Sequence, residues 1–66
     1  MTNTFIFYIR NNKVGNTWAR SFKGRTFATA LNRCKANYCN TLDRGEYTIV
    51  GAKDIQGADY TKFINR

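Results

Sequence analysis

The chain has 66 residues, 42% of them hydrophobic and 15% aromatic, and it carries eleven Lys and Arg, four Asp and Glu, and no His. A chain this short has room for one domain, and its apolar content excludes a disordered tail. Its longest apolar run, residues 5–9, is far too short to cross a bilayer, and no secretory signal precedes it. We therefore expect a single basic domain over residues 1–66, located in the cytoplasm.

The first predicted element is a β-hairpin over residues 4–23. Residues 4–10 are rich in aromatic and β-branched side chains, and residues 17–23 alternate large and small ones, so both segments are predicted strands. The turn between them can be centred on Asn11-Asn12 or on Gly15-Asn16, because Asn and Gly tolerate positive φ. The alternation in the second strand places three large side chains on one face, namely Trp18, Arg20 and Phe22.

A helix is predicted directly after the hairpin, with Thr26 as its N-cap. An apolar stripe at helical spacing extends it to about Leu42. The stripe consists of Phe27, Ala30, Leu31, Cys34, Tyr38 and Leu42. Residues 47–53 predict a third strand, and residues 58–66 fit either a short helix or a fourth edge strand.

These elements predict an α+β fold in the order β-β-α-β. One helix covers one face of a three-stranded, mainly antiparallel sheet, and a short C-terminal tail follows. The helical crossover can carry the chain over the hairpin, so we expect the third strand to pair beside the first.

The side chains that enzymes use for catalysis are scarce. His is absent, Ser21 is the only Ser, and no Gly-rich phosphate loop is present. On one helix, Cys34 and Cys39 would point about 140° apart, which excludes a disulfide between them. Two thiols without His are too few ligands for zinc. We expect reduced, structural cysteines and no catalytic residue, metal, cofactor or small-molecule substrate.

The excess of positive over negative charge belongs entirely to the hairpin and the helix. Residues 1–42 contain seven Lys and Arg and no acid, whereas residues 43–66 contain four of each sign. A field this one-sided attracts anionic partners, although a basic face can also serve solubility alone. The candidate partner-binding residues are Tyr8, Arg10, Lys13, Trp18, Arg20, Lys23, Arg25, Arg33 and Lys35.

The first strand is apolar on both faces, because Phe5, Phe7 and Ile9 alternate with Ile6 and Tyr8. One helix covers only one face, so the other set would form an exposed patch, unless the tail folds over it. Exposed aromatic rings among cations can stack on nucleic-acid bases or anchor a protein interface. The cations expected beside this patch are Arg10, Arg20 and Lys23, and the tail aromatics that could cover it are Tyr60 and Phe63.

The predicted layout is a hairpin over residues 4–23, a helix begun by Thr26 and a strand over residues 47–53. In this layout the chain resembles small early bacteriophage proteins that shut down host machinery. The bacterial RNA polymerase inhibitors of T7-like phages are similar in length and element order. The resemblance spans residues 4–55, and this chain is the more basic. It implies a non-catalytic protein that occupies a surface of a host factor.

Three hypotheses about function follow from these observations. The first is an inhibitor or adaptor that docks its basic hairpin and helix on an acidic surface of a host protein, such as a nucleic-acid-handling enzyme, with Trp18 or Tyr8 as the anchor. The second is a small DNA- or RNA-binding module that uses the same residues against phosphates. The third is a structural subunit of an assembly. None of them involves a membrane.

Overall fold

The computed structural model describes residues 2–64, and its strands and main helix follow the predicted order. The elements are β1 (Asn3–Asn11), β2 (Thr17–Gly24), α1 (Phe27–Asn37), the short helix α2 (Cys39–Asp43), β3 (Tyr47–Asp54) and a 3₁₀ turn (Thr61–Phe63). The sheet is antiparallel with the strand order β2-β1-β3. The predicted α+β layout and the position of the third strand beside the first are therefore confirmed. Two residues of the predicted tail, Asn65 and Arg66, lie outside the described residues.

The turn of the hairpin is a loop of residues 12–15. The Asn11 N–H donates to the Asn16 carbonyl at 2.9 Å, and the Gly15 N–H donates to the Asn11 carbonyl at 2.7 Å. Gly15 has a φ of +80°, which glycine adopts without steric cost. The centre of the turn thus lies between the two predicted dipeptides. This closure fixes the register, in which Ile9 is opposite Trp18.

The core lies between the sheet and α1, which contacts β2 more than β1. The odd-numbered residues of β1 point into it, in accord with the alternation of a strand. Its buried hydrophobic residues are Phe5, Phe7, Ile9, Ala30, Leu31, Cys34, Ile49, Ala52 and Ile64. Neither helix within residues 2–64 is both long enough and apolar enough to span a bilayer.

The predicted helix does not continue unbroken to Leu42, because Tyr38 interrupts it. Tyr38 has φ −117° and ψ 18°, and its N–H is shared between the carbonyls of Cys34 and Lys35, both at 3.3 Å. The Tyr38 ring packs edge-on against Trp18 and Tyr47, with centroids 6.5 and 5.8 Å away. We attribute the break to this packing, since tertiary contacts override a marginal helix propensity.

The tail packs on the same side of the sheet as α1. Tyr60 stacks on Phe27, with centroids 5.0 Å apart and an interplanar angle of 13°, and meets Phe5 edge-on at 5.3 Å. The alternative in which Tyr60 and Phe63 cover the other face of β1 is therefore wrong. Of the two structures expected for the tail, the short helix forms, as a 3₁₀ turn of three residues, Thr61–Phe63. A single bridge, Lys53 to Asp59, forms in place of a fourth strand.

Candidate functional site

The face of the sheet opposite α1, which we call the outer face, is not covered by residues 2–64. The register directs Ile6 and Tyr8 of β1 toward it, and both are half-buried. Arg10 and Lys23 lie on the same face, and β3 contributes Lys53. The other paired positions carry small or hydroxyl-bearing residues, namely Thr4, Thr17, Ala19, Ser21, Thr48 and Gly51, and Val50, which the register shift of β3 leaves unpaired, is exposed. The exposed set of the first strand is thus Ile6 and Tyr8.

Tyr8 is the only aromatic residue on the outer face of residues 2–64, and its cross-strand neighbours are small. It pairs with Ala19 on β2 and with Gly51 on β3. A Cβ built on Gly51 would lie 3.5 Å from Tyr8 Cδ2, so the ring lies against the Gly51 backbone. The Lys53 ammonium is 5.8 Å from the ring centroid, within the range of a cation–π contact. The result is a flat aromatic surface with a cation beside it.

Four cations lie along β2 and the flank of α1 that faces it, and we call this set the basic edge. The set consists of Arg20, Lys23, Arg25 and Arg33, all of them exposed. Arg33 Nη1 donates to the Lys23 carbonyl at 3.0 Å, which ties the helix flank to the end of β2. The Arg25 carbonyl accepts from Asn3 Nδ2 at 3.3 Å, which ties the following loop to β1. The backbone of the basic edge is therefore anchored while its charges face solvent.

The acids of residues 2–64 lie away from the basic edge. Asp43 and Glu46 flank the turn into β3, where Glu46 Oε1 is 3.7 Å from Lys13 Nζ in the one ion pair found within residues 2–64. Asp54 and Asp59 accept hydrogen bonds from the backbone of the tail. The Thr61 hydroxyl donates to Asp59 at 2.6 Å, and this bond lowers the pKa of the Asp59 carboxyl. The basic edge has no counter-ion within the described part of the chain.

Trp18 shares a face of β2 with Arg20 and lies away from the cations of the outer face. It is half-buried on the helix-covered face, where its ring meets Tyr47 edge-on at 5.1 Å. Tyr8 lies on the opposite face, so one flat contact cannot use both proposed anchors. The expectation that Arg20 lies beside the exposed patch is wrong, because the register pairs it with Phe7 on the helix-covered face.

Lys35 lies on the flank of α1 opposite Arg33, between two open grooves that the sequence did not predict. One groove of about 480 Å³ is lined by Phe27, Leu31, Tyr60 and Phe63, and the other, of about 500 Å³, lies toward β3. The nine candidate residues thus divide between the outer face, the basic edge, the hairpin turn, the aromatic cluster around Trp18 and this flank. The first groove could not be predicted from the sequence, because it depends on the packing of Tyr60 and Phe63 against Phe27.

Both cysteines are free thiols, as predicted. Cys34 is buried in the core, and burial raises the pKa of its thiol to about 11, whereas Cys39 is exposed. Within residues 2–64, no three Cys, Asp or Glu side chains come close enough to hold a metal ion.

The structure defines a class of small α+β protein whose sheet is covered by a helix on one face and bordered by cations along one edge. Comparisons of the chain with models of protein families, with curated proteins and with solved structures found no match.

Proposed function

We propose that this chain is a non-enzymatic binding protein that docks its basic edge on an acidic surface of a partner protein and obstructs that surface. The observation that carries the proposal is the exposure of Arg20, Lys23, Arg25 and Arg33 without a counter-ion within residues 2–64. Like charges along one edge repel one another, and a small domain with a thin core has little stability to offset that repulsion. A carboxylate-rich partner would remove that repulsion on binding.

The anchoring of the basic edge supports a protein partner. Arginine presents a planar donor fork that suits carboxylates and phosphates alike, and three of the four cations are arginines, so the fork fits a carboxylate-rich protein surface without excluding phosphate. The Arg33 bond to the Lys23 carbonyl holds one of them in place before binding, which reduces the side-chain entropy lost in the complex. Such a surface would give fast, charge-steered association with a host enzyme whose substrate path is acidic or adjoins acidic residues.

Affinity capture from a nuclease-treated bacterial lysate tests this function. We expect the wild-type chain to retain an acidic protein that survives the removal of nucleic acid. The purified pair is then measured by calorimetry. The double variant Arg20→Gln/Arg33→Gln should bind it about 5- to 30-fold more weakly, since each exposed ion pair contributes about 0.5–1 kcal/mol. The matched control Lys35→Gln removes a cation from the other flank and should bind within about twofold of the wild type.

Failure of the proposal has a defined form. If the wild-type chain retains no protein from the nuclease-treated lysate, or if Lys35→Gln weakens binding as much as the double variant, the basic edge is not the docking surface.

Nucleic-acid binding is the second candidate, and the outer face is the observation that favours it. Tyr8 lies between Ala19 and Gly51 with the Lys53 ammonium beside its ring, which suits base stacking next to a phosphate contact. With Arg10, Lys23 and Lys53 as the phosphate contacts, log K for a random single strand should fall with log salt at a slope of about −2. Tight binding at about 150 mM salt that Tyr8→Phe keeps and Tyr8→Ala loses would make this the primary function.

A further inference from the structure

The backbone of β2 presents unpaired hydrogen-bonding groups along its free side. In an antiparallel ladder, every second residue exchanges bonds with the partner strand and the residues between them point away. The bond from Asn11 to Asn16 starts this alternation, so Trp18, Arg20 and Phe22 bond to β1. The N–H and C=O groups that point outward belong to Thr17, Ala19, Ser21 and Lys23. The bond from Arg33 to the Lys23 carbonyl agrees with this assignment.

The two edges of the sheet differ. On β3, the tail occupies the outward backbone groups of Ala52 and Asp54. The Tyr60 N–H donates to the Ala52 carbonyl at 2.9 Å, the Ala52 N–H donates to Thr61 Oγ1 at 3.3 Å, and the Asp54 N–H donates to the Ala58 carbonyl at 3.0 Å. On the edge of β2 that faces away from β1, no strand within residues 2–64 is paired. Within residues 2–64, the tail therefore closes the C-terminal half of the β3 edge, whereas the β2 edge is open from Thr17 to Ser21.

The side chains along the open edge leave room for another strand. Thr17, Ala19 and Ser21 are small and exposed, so they do not shield the backbone groups they carry. Proline, a bulge and a covering loop, which protect many sheet edges, do not occur in β2. Charged side chains are a further protection, and Arg20 and Lys23 supply it: they repel a second basic strand and attract an acidic one.

We propose that β2 accepts an extended, acidic segment of a partner protein as a fourth strand of the sheet. The inference rests on the proposed function, because the basic edge supplies the attraction, and it adds the mode of binding. The charges select this occupant. A second copy would bring its own Arg20, Lys23, Arg25 and Arg33 against the first set, with no acid in β2 or α1 to offset them. An acidic strand would place carboxylates beside those cations.

Residues 17–21 set the length of the segment, because the Lys23 carbonyl already accepts from Arg33. Five residues at about 3.3 Å each give an open edge of about 17 Å, so a bound segment would contribute about five residues. Its backbone would bond to Thr17, Ala19 and Ser21, and its alternate side chains would reach the outer face and the helix side in turn.

The first test uses three synthetic nine-residue peptides and the unmodified protein. One peptide alternates Glu with Val and Thr, and a second has Lys in place of each Glu. The third is the acidic peptide with N-methyl groups on alternate residues, so that every backbone N–H that would face β2 is removed. We expect amide exchange at Ala19 and Ser21 to slow at least tenfold with the acidic peptide, as measured by nuclear magnetic resonance. The Lys peptide should have no effect. Methylation should weaken binding at least tenfold.

A variant pair tests the same contact from the protein side. Ser21→Pro removes one outward N–H at an edge position that tolerates proline and should bind the acidic peptide at least tenfold more weakly. Ser21→Ala keeps the N–H and should bind within twofold. The methylated peptide gives the same information if Ser21→Pro does not fold.

Each outcome has one meaning. If the methylated and unmethylated acidic peptides bind equally, docking is by charge alone, so strand addition is wrong while the proposed function stands. If the acidic peptide does not bind even at low salt, strand addition is wrong, and the lysate capture decides the function separately. If the free protein dimerises with Ala19 and Ser21 protected, the occupant is a second copy. If a random oligonucleotide protects the same amides, the occupant is nucleic acid. The last two results also overturn the proposal.

Discussion

Replacement of Gly24 by alanine would push the end of β2 away from the start of α1. Gly24 is buried, and its φ lies outside the left-handed range, so the backbone geometry there accepts alanine. The obstacle is space. A Cβ built on Gly24 would lie 2.7 Å from the Ala30 nitrogen, 3.0 Å from Thr29 Cβ and 3.1 Å from the Thr26 carbonyl oxygen. Two of these three atoms belong to the backbone of the helix or its cap, and they cannot swing aside as a side chain can.

The expected loss of stability is large for a domain of this size. Overpacking costs about 1–3 kcal/mol, and a clash with backbone atoms belongs in the upper half of that range. We expect about 2–3 kcal/mol, against a net stability of roughly 3–5 kcal/mol for a domain without disulfides or metal. At about 4–8 °C per kcal/mol, Tm should fall by about 10–20 °C.

Thermal unfolding followed by circular dichroism and by Trp18 fluorescence measures this loss. Gly45→Ala is the matched control, since Gly45 has a φ of +74° and a Cβ added there would meet no atom within 4 Å, so that the left-handed strain alone costs about 1–2 kcal/mol. If Gly24→Ala melts within about 3 °C of the wild type, or above Gly45→Ala, the close approach of β2 and α1 does not limit the fold.

Four further experiments have defined outcomes. Thr26→Ala removes the acceptor for the Thr29 N–H at 3.3 Å and should cost about 1 kcal/mol in urea unfolding, whereas Thr26→Ser should cost almost nothing. Lys13→Met breaks an ion pair whose lysine side chain is 77% exposed, so the free energy of unfolding should change by less than about 0.5 kcal/mol, and a loss above 1 kcal/mol would contradict this. A thiol reagent should label Cys39 at once and Cys34 only as fast as the chain unfolds, and two fast thiols in the folded protein would show that Cys34 is accessible. Burial raises the pKa of the Cys34 thiol from 9.0 to about 11, so the thiol of the unfolded chain ionises first as the pH rises. The stability that this thiol contributes is therefore complete below pH 9 and is lost toward pH 11. The difference in Tm between the wild type and Cys34→Ala should narrow over that pH range.

Local patterns in the sequence were sufficient to predict most of the elements. The hydroxyl of Thr26 and the spacing of Ala30, Leu31 and Cys34 located the start and the buried face of α1, because capping and helical periodicity are local properties. The alternation in β1 likewise separated the side chains of its two faces.

The register of the hairpin could not be predicted, because it depends on which residues close the turn. A shift of one residue moves every side chain of a strand to the other face. With Asn11 bonded to Asn16, Trp18 and Arg20 lie on the helix-covered face, away from Tyr8. The sequence therefore identified candidate residues by their charge and aromatic character, but it could not predict which surface each residue lies on. The break at Tyr38 depends in the same way on contacts with Trp18 and Tyr47 that are distant in sequence.

The different treatment of the two sheet edges limits how many molecules can assemble. A sheet with two open edges can add strands at both sides without end, which is the geometry of a fibre. Here the tail's bonds to Ala52 and Asp54 block pairing along the C-terminal half of β3, so β2 is the edge better able to accept a strand. One strand added to β2 would fill that edge, and we expect complexes formed through it to have a one-to-one stoichiometry.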